Sequence, residues 1–223
     1  MDERLNNLLR LVVEEYVATS EPVSSQALVD RHDLDVSPAT IRNWFAELDE
    51  LGLTAQPHTS GGRIPTEEGF KHYVSTHVMP RPAGKRVRER LEDAAQAERG
   101  QRIKALAREL SELSGLAAVA MPNETDSYCM GLSQLFGQSE FRDWQQVVSM
   151  TALLDHLDQT LSRLRRHGIS APQIFLGKDS PFGPGSGTVI AQTPYGLVGI
   201  VGPLRMDYQS ALSNLLSALE ALE

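Results

Sequence analysis

The sequence has little cysteine, few basic residues and no long apolar run. Cys129 is the single cysteine among 223 residues. That excludes a disulfide framework within the chain and fits a reducing compartment. No apolar run approaches the ~18 residues that a membrane span requires. The opening Met1-Asp2-Glu3-Arg4 lacks the basic-then-apolar order of a secretory signal, so a cytoplasmic location is expected. The sequence shows no internal repeat and no low-complexity tract. Lys and Arg number 21 against 29 Asp and Glu, a formal net charge of -8. Nucleic-acid-binding domains are usually basic, so the whole-chain balance by itself counts against such a partner.

Signals of catalysis are also missing. Cys129 sits in no nucleophile signature and is expected to be a buried structural thiol. His72 and His77 are five positions apart, a poor spacing for a shared metal on one helix face, and no His-Glu-x-x-His occurs. Gly183-Pro184-Gly185-Ser186-Gly187 lacks the lysine and the helix start of a phosphate-cradling loop and reads as a flexible surface loop. No enzyme activity, cofactor or metal is expected.

What is present is an ordinary globular composition, with 41% hydrophobic and 22% charged residues. Size scaling predicts that about 72% of the unfolded chain's surface is buried if the chain is compact. The charge is unevenly spread. Residues 1–80 hold 6 basic and 13 acidic side chains, residues 81–112 hold 9 and 6, and residues 113–223 hold 6 and 10. Pro80-Arg81-Pro82-Ala83-Gly84 has the composition of a linker. Three regions are therefore expected: 1–80, a linker and basic amphipathic helix over 81–112, and 113–223.

Leu5, Leu8, Leu9, Val12, Val13, Tyr16 and Val17 recur at helical spacing. Glu21-Pro22-Val23 stops that helix, and Ser24 caps a short second one over 25–32 with Ala27 and Leu28 inward. After a tight turn, Ser37-Pro38-Ala39-Thr40 combines an N-cap hydroxyl with proline at the first helical position. The third helix is expected to run to Leu51, with Ile41, Phe45, Leu48 and Leu51 inward. Residues 53–56 and 63–65 read as a hairpin, and Thr66 starts a fourth helix carrying Phe70, Tyr73 and Val74. In the second half, 116–121, 173–176, 188–192 and 197–201 read as strands. Residues 141–167 and those from Asp207 onward read as helical. Strands mixed with non-alternating helices indicate an α+β fold with helices on an antiparallel sheet.

The order helix, helix, helix, hairpin, helix is that of a winged helix-turn-helix. With Ile41, Phe45 and Leu48 inward, Ala39, Thr40, Arg42 and Asn43 are left on the outer, N-terminal side of the third helix, just after Ser37. Arg can read guanine and Asn adenine by bidentate contacts in the major groove. The hairpin tip offers Gln56, His58, Thr59, Ser60 and Arg63 for backbone or minor-groove contact, and Gly61-Gly62 permits close approach. Glu47, Asp49 and Glu50 lie at the far end of the helix. The pattern alone is equally satisfied by a surface helix and hairpin with solvated polar residues. The run Lys85-Arg86-Val87-Arg88-Glu89-Arg90 likewise fits phosphate contacts beside such a site or a solvated helix face.

Longer motifs separate these readings. Glu21-Pro22-Val23-Ser24-Ser25-Gln26-Ala27-Leu28, Val36-Ser37-Pro38-Ala39-Thr40-Ile41-Arg42-Asn43 and Glu47-Leu48-Asp49-Glu50-Leu51-Gly52-Leu53 follow one another in order. Gln56-Pro57-His58-Thr59-Ser60-Gly61-Gly62-Arg63-Ile64-Pro65-Thr66 comes next. The stretch 128–141 and Gly202-Pro203-Leu204-Arg205-Met206-Asp207-Tyr208 close the series. Together they resemble the bacterial heat-inducible transcription repressor family HrcA. The resemblance implies a winged-helix domain, a GAF-like domain and an inserted dimerisation domain. It further implies repression of chaperone genes from an inverted-repeat operator bound by a homodimer, with a GroEL-type chaperonin keeping the repressor active.

Two departures stand out. Trp44-Phe45 occupies the place of an acidic residue and Met in that family, read as a packing variant. Met121 is followed almost directly by Tyr128, where the family has further strands and its inserted domain, so a truncated GAF-like domain is expected. Ile103, Leu106, Leu110 and Leu113 are compatible with a short heptad seam between copies or with a helix packed on its own domain. Two heptads favour the second. Alternatives to a chaperonin-controlled repressor are a winged-helix regulator sensing a small ligand and an interaction protein that no longer represses.

Overall fold

The computed structural model describes residues 1–57, 61–142, 147–148, 150–151, 154–169 and 171–223. They form two units, Met1–Val78 and Met79–Glu223. In the first, α1 (Glu3–Thr19) starts where the Asp2 carboxylate accepts the Leu5 amide at 2.9 Å. That N–H, first, and the neighbouring Arg4 hold the Asp2 carboxyl below its ordinary range. The apolar stripe of α1 buries Leu5, Leu8, Leu9, Val12 and Val13, with Leu11 added on its flank. Ser24 caps α2 (Ser25–His32) by accepting the Ala27 amide at 3.1 Å. Ser37 caps α3 (Pro38–Glu50) by accepting the Thr40 amide at 3.1 Å.

Helix α3 buries Ile41, Phe45 and Leu48. Leu51, expected inward, is 54% exposed. The helix has ended at Glu50, and the chain turns away through Leu51 and Gly52. Strands β1 (Thr54–Ala55) and β2 (Ile64–Pro65) pair antiparallel, Thr54 opposite Pro65. Val23, expected only as part of a helix stop, bridges Arg63 through two backbone bonds of 2.8 and 2.9 Å. The segment between α1 and α2 is thereby stitched to the hairpin. Thr66 caps α4 (Glu67–His77), and Phe70 lies beside Tyr16 with ring centroids 6.4 Å apart.

The second unit opens with α5 (Lys85–Ala95) and α6 (Arg102–Ser114). The expected linker and single basic helix over 81–112 is thus two helices that belong to this unit. The cause is apolar anchoring: α5 buries Leu91 and Ala95, and α6 buries Ile103, Leu106, Ala107 and Leu110. Helix α6 packs on its own unit, against α5 and the sheet, and Leu113 is only half-buried. The sheet comprises β3 (Ala117–Met121), β4 (Tyr128–Met130), β5 (Gln173–Leu176), β6 (Ser186–Thr193) and β7 (Gly196–Pro203). The strand order is β4-β3-β7-β6-β5 with every neighbour antiparallel. The fold is α+β, as expected. The short strand β4 had not been expected.

Alternation on β3 sends Ala117, Val119 and Met121 into a cluster with Leu135, Phe141, Leu157 and Leu161. Leu135 comes from α7 (Leu132–Phe136), Phe141 from a 3-10 turn over Ser139–Arg142, and Leu157 and Leu161 from α8 (Leu157–His167). Part of the helix expected over 141–167 lies outside the described residues. Helix α9 (Tyr208–Glu220), capped by Asp207, packs on α5, α6 and β6.

The glycine-rich stretch 183–187, expected as a flexible surface loop, is only partly one. Ser186 and Gly187 begin the buried strand β6, and Gly187 pairs with Gly202. A Cβ at Gly187 would stand 2.1 Å from the Tyr208 hydroxyl oxygen. The ring of Tyr208 therefore fills the space that a side chain would need. Cys129 is half-buried on β4 rather than fully buried. Burial pushes its thiol up to about 11.

Candidate nucleic-acid interface

The expected reading surface is built by the amphipathicity of α3. Its apolar face is spent on the core, and this leaves Ala39, Arg42 and Asn43 exposed on the N-terminal half. Ser37 and Thr40 lie beside them, but their hydroxyls bond each other at 2.9 Å within the cap. Ser37 and Thr40 thus hold the helix start in shape. Gln56 is exposed at the end of the first hairpin strand. His58, Thr59 and Ser60, expected at the hairpin tip, lie outside the described residues.

Arg63 departs from the expectation of a phosphate contact. Its Nε donates to Asp49 Oδ2 at 2.7 Å, and Asp49 also accepts the Thr54 hydroxyl at 2.6 Å. The guanidinium lies 5.8 Å from the Phe45 ring centroid. Arg63 therefore clamps the hairpin to the C-terminal half of α3. Its charge is spent on a half-buried carboxylate from the same unit, and its backbone holds Val23. Gly62, expected to let the hairpin backbone approach a ligand, instead approaches its own chain. A Cβ there would stand 2.8 Å from the Pro22 carbonyl carbon.

The same pairing extends across the first unit. Arg4 is bound to Asp2 at 2.9 Å and Glu47 at 2.7 Å, Arg10 to Glu14 at 2.7 Å, and Lys71 to Glu67 at 3.0 Å. Arg31 pairs with Glu15. Among the described residues of this unit, Arg42 is the cation left without an ion pair. Two of the three acids at the end of α3, Glu47 and Asp49, are occupied by arginines. Trp44 is half-buried, and the Arg4 guanidinium carbon lies 5.6 Å from its ring centroid. Trp44 thus lies beside Arg4 of α1.

In the second unit, two motif blocks far apart in sequence meet. Arg205 pairs with Glu140, and its Nη2 donates to Gln138 Oε1 at 3.2 Å and Ser139 Oγ at 3.3 Å. Nothing in local spacing could have announced this pairing across 65 positions. Burial lowers the pKa of His77, and His72 bonds Asn6 at 3.0 Å. Among the described residues no cluster of His, Cys, Asp or Glu is placed to hold a metal, and no helix is long and apolar enough to cross a membrane.

Comparison with known proteins bears on both units. The family model described as HrcA protein C terminal domain matches residues 70–212. The heat-inducible transcription repressor HrcA of Thermobifida fusca (strain YX) is 50% identical over 92 residues, 41% of this chain and 27% of that protein. The namesake of Symbiobacterium thermophilum is 42% identical over 122 residues, covering 53% of this chain and 36% of its own. That of Pelotomaculum thermopropionicum is 40% identical over 131 residues, 57% of this chain and 37% of its own. The matched stretches thus span about a third of these relatives' length. Among solved structures, one described as a hypothetical protein has a TM-score of 0.78 at 16% identity, covering 100% of this chain and 97% of that one. This last likeness shows a shared fold.

Proposed function

This chain belongs to the HrcA family, and from that membership and the geometry of its first unit we propose that it is a sequence-specific DNA-binding transcriptional repressor. In this reading the first unit is a winged helix-turn-helix. Helix α3 enters the major groove with its N-terminal half, and the hairpin flanks it as the wing. Arg42 and Asn43 read base edges, with Ala39 at the groove floor. Ser37 and Thr40 fix the helix start, and Gln56, His58, Thr59 and Ser60 serve the wing. Arg63 is a positioning residue that sets the wing against α3.

The observation that carries this reading is the state of Arg42. It is exposed, without an ion pair among the described residues and next to Asn43, on the helix half opposite a fully buried apolar face, in a unit whose other cations are internally paired. The proposed target is an inverted repeat in front of chaperone genes. Two reading heads on half-sites about 34 Å apart require a homodimer. The second unit is the GAF-like regulatory part, and a GroEL-type chaperonin is the proposed modulator. The names of the relatives support heat-inducible repression.

Arg42→Ala and Asn43→Ala are each expected to cost about 1–3 kcal/mol of binding to the cognate duplex. The measurement is gel-shift titration against an inverted-repeat duplex that the wild-type protein selects from a random pool. Wild-type affinity in both variants would overturn the assignment of α3.

A further inference from the structure

A DNA-binding unit with 6 basic and 13 acidic residues poses an electrostatic problem. Phosphate neutralisation by Lys and Arg supplies most of the sequence-independent attraction to DNA. Yet five of the six cations of the first unit are bound to carboxylates of the same unit. A guanidinium that already neutralises a carboxylate contributes little to a phosphate unless that pair is broken. Arg42, the cation left over, is committed to base reading in the function proposed above. The first unit therefore lacks the free positive charge that an encounter with a polyanion needs.

The missing charge follows directly in the chain. Residues 81–90 contain five basic side chains and one acidic one. Lys85 lies 3.7 Å from Glu89, and Arg90 is tied to Glu109 and Glu112 of α6. Arg81, Arg86 and Arg88 have no ion-pair partner among the described residues. Arg81 and Arg86 are exposed, and Arg88 is half-buried. The apolar anchors of α5 are Leu91 and Ala95; Arg88 shares their face, and a long arginine there keeps its charged end in water while its stem packs.

We infer that Arg81, Arg86 and Arg88 make a second set of DNA contacts, binding backbone phosphates. The inference rests on the DNA-binding reading above and adds a division of labour to it. Helix α3 supplies base recognition, and the segment leading into and along the start of α5 supplies the salt-dependent attraction.

The test is the slope of log affinity against log salt, measured on the full chain with a duplex that the protein has selected and with a scrambled duplex of the same length. Three lost phosphate contacts flatten the slope by about 2.7 per chain. That equals about 40-fold less affinity lost between about 50 and about 200 mM salt. The triple variant R81A/R86A/R88A is expected to show this flattening on both duplexes. Its preference for the selected duplex is expected to stay intact, and thermal melting to match wild type. The control R163A/R166A removes two exposed arginines from α8 and is expected to keep the wild-type slope.

An unchanged slope in a folded triple variant overturns the inference, and so does equal flattening in the control. Should the triple variant melt early, R86A alone carries the test, with an expected flattening of about 0.9. Binding of the selected duplex by wild type with no slope change refutes only the phosphate surface. Failure of wild type to bind any duplex refutes the DNA-binding reading itself.

Discussion

Replacing Arg63 by Ala separates a clamp from a phosphate contact. In the structure the side chain gives one charge-assisted bond of 2.7 Å to Asp49 and stacks its guanidinium on Phe45 at 5.8 Å. A hydrogen bond to a charged group contributes about 1.5–3 kcal/mol, and a cation–π contact about 0.5–1 kcal/mol. Arg63 is 16% exposed and Asp49 29%. Solvent therefore screens part of the pair, and the lower end, about 2 kcal/mol, is expected. For a unit of this size that lowers the melting midpoint by roughly 8–16 °C. The loss should be local first, with faster hydrogen exchange at the paired amides of Val23 and Arg63. Because the charge is spent on Asp49, the salt slope of DNA binding should stay within about 0.3 of wild type, against a drop of about 0.9 for a true phosphate contact. Calorimetry, amide exchange and salt titration on the full chain read the three quantities. A slope reduced by about one with an unchanged melt would refute the clamp.

Three further outcomes follow from the second unit and its proposed partner. Gly187→Ala forces a methyl to within 2.1 Å of the Tyr208 hydroxyl oxygen. It is expected to destabilise by about 2–3 kcal/mol, and less in a Tyr208→Phe background; equal costs in both backgrounds would contradict the close approach. Cys129 titrates near 11 rather than 9.0 because it is buried. Alkylation at pH 8 should then be about 100-fold slower folded than unfolded, and any stability from keeping the thiol neutral should persist below pH 9 and fade as pH rises toward 11. Purified GroEL-type chaperonin added to the DNA titration should raise the active fraction of repressor, and no change would count against chaperonin control.

The parts legible in the sequence are those fixed by local physics. Ser24, Ser37, Thr66 and Asp207 all cap helices where a short polar side chain precedes an apolar-periodic run. Helical periodicity likewise gave the buried faces of α1 and α3. The rest is decided by distant residues. Asp49 takes Arg63 from 14 positions away, Glu47 takes Arg4 from 43, and Glu140 takes Arg205 from 65. No local pattern marks such partners, so Arg63 looked free until the fold closed. Leu51 kept the helical spacing but fell one residue beyond the helix end. The break between α5 and α6 carries no proline. Gly100 is its weak signal, so the segment resembled a single helix.

The internal pairing also changes how a net charge of -8 bears on function. Formal charge counts a clamped arginine and a free one alike, but only the free one can replace a counterion on DNA. In the first unit nearly all the positive charge is structural, so in the function proposed above indiscriminate binding by that unit is weak and its base contacts set affinity. The two surfaces proposed above should then fail differently. Losing Arg81, Arg86 and Arg88 lowers affinity for selected and scrambled duplexes by the same factor, because phosphates carry no sequence information. Losing Arg42 lowers the ratio between the duplexes by about 5- to 150-fold, the equivalent of about 1–3 kcal/mol. A combined variant should show the two effects as additive in log affinity, since base contacts and phosphate contacts share no group. Strong coupling between them would mean that α5 acts by positioning α3, and the separation of reading from attraction would have to be abandoned.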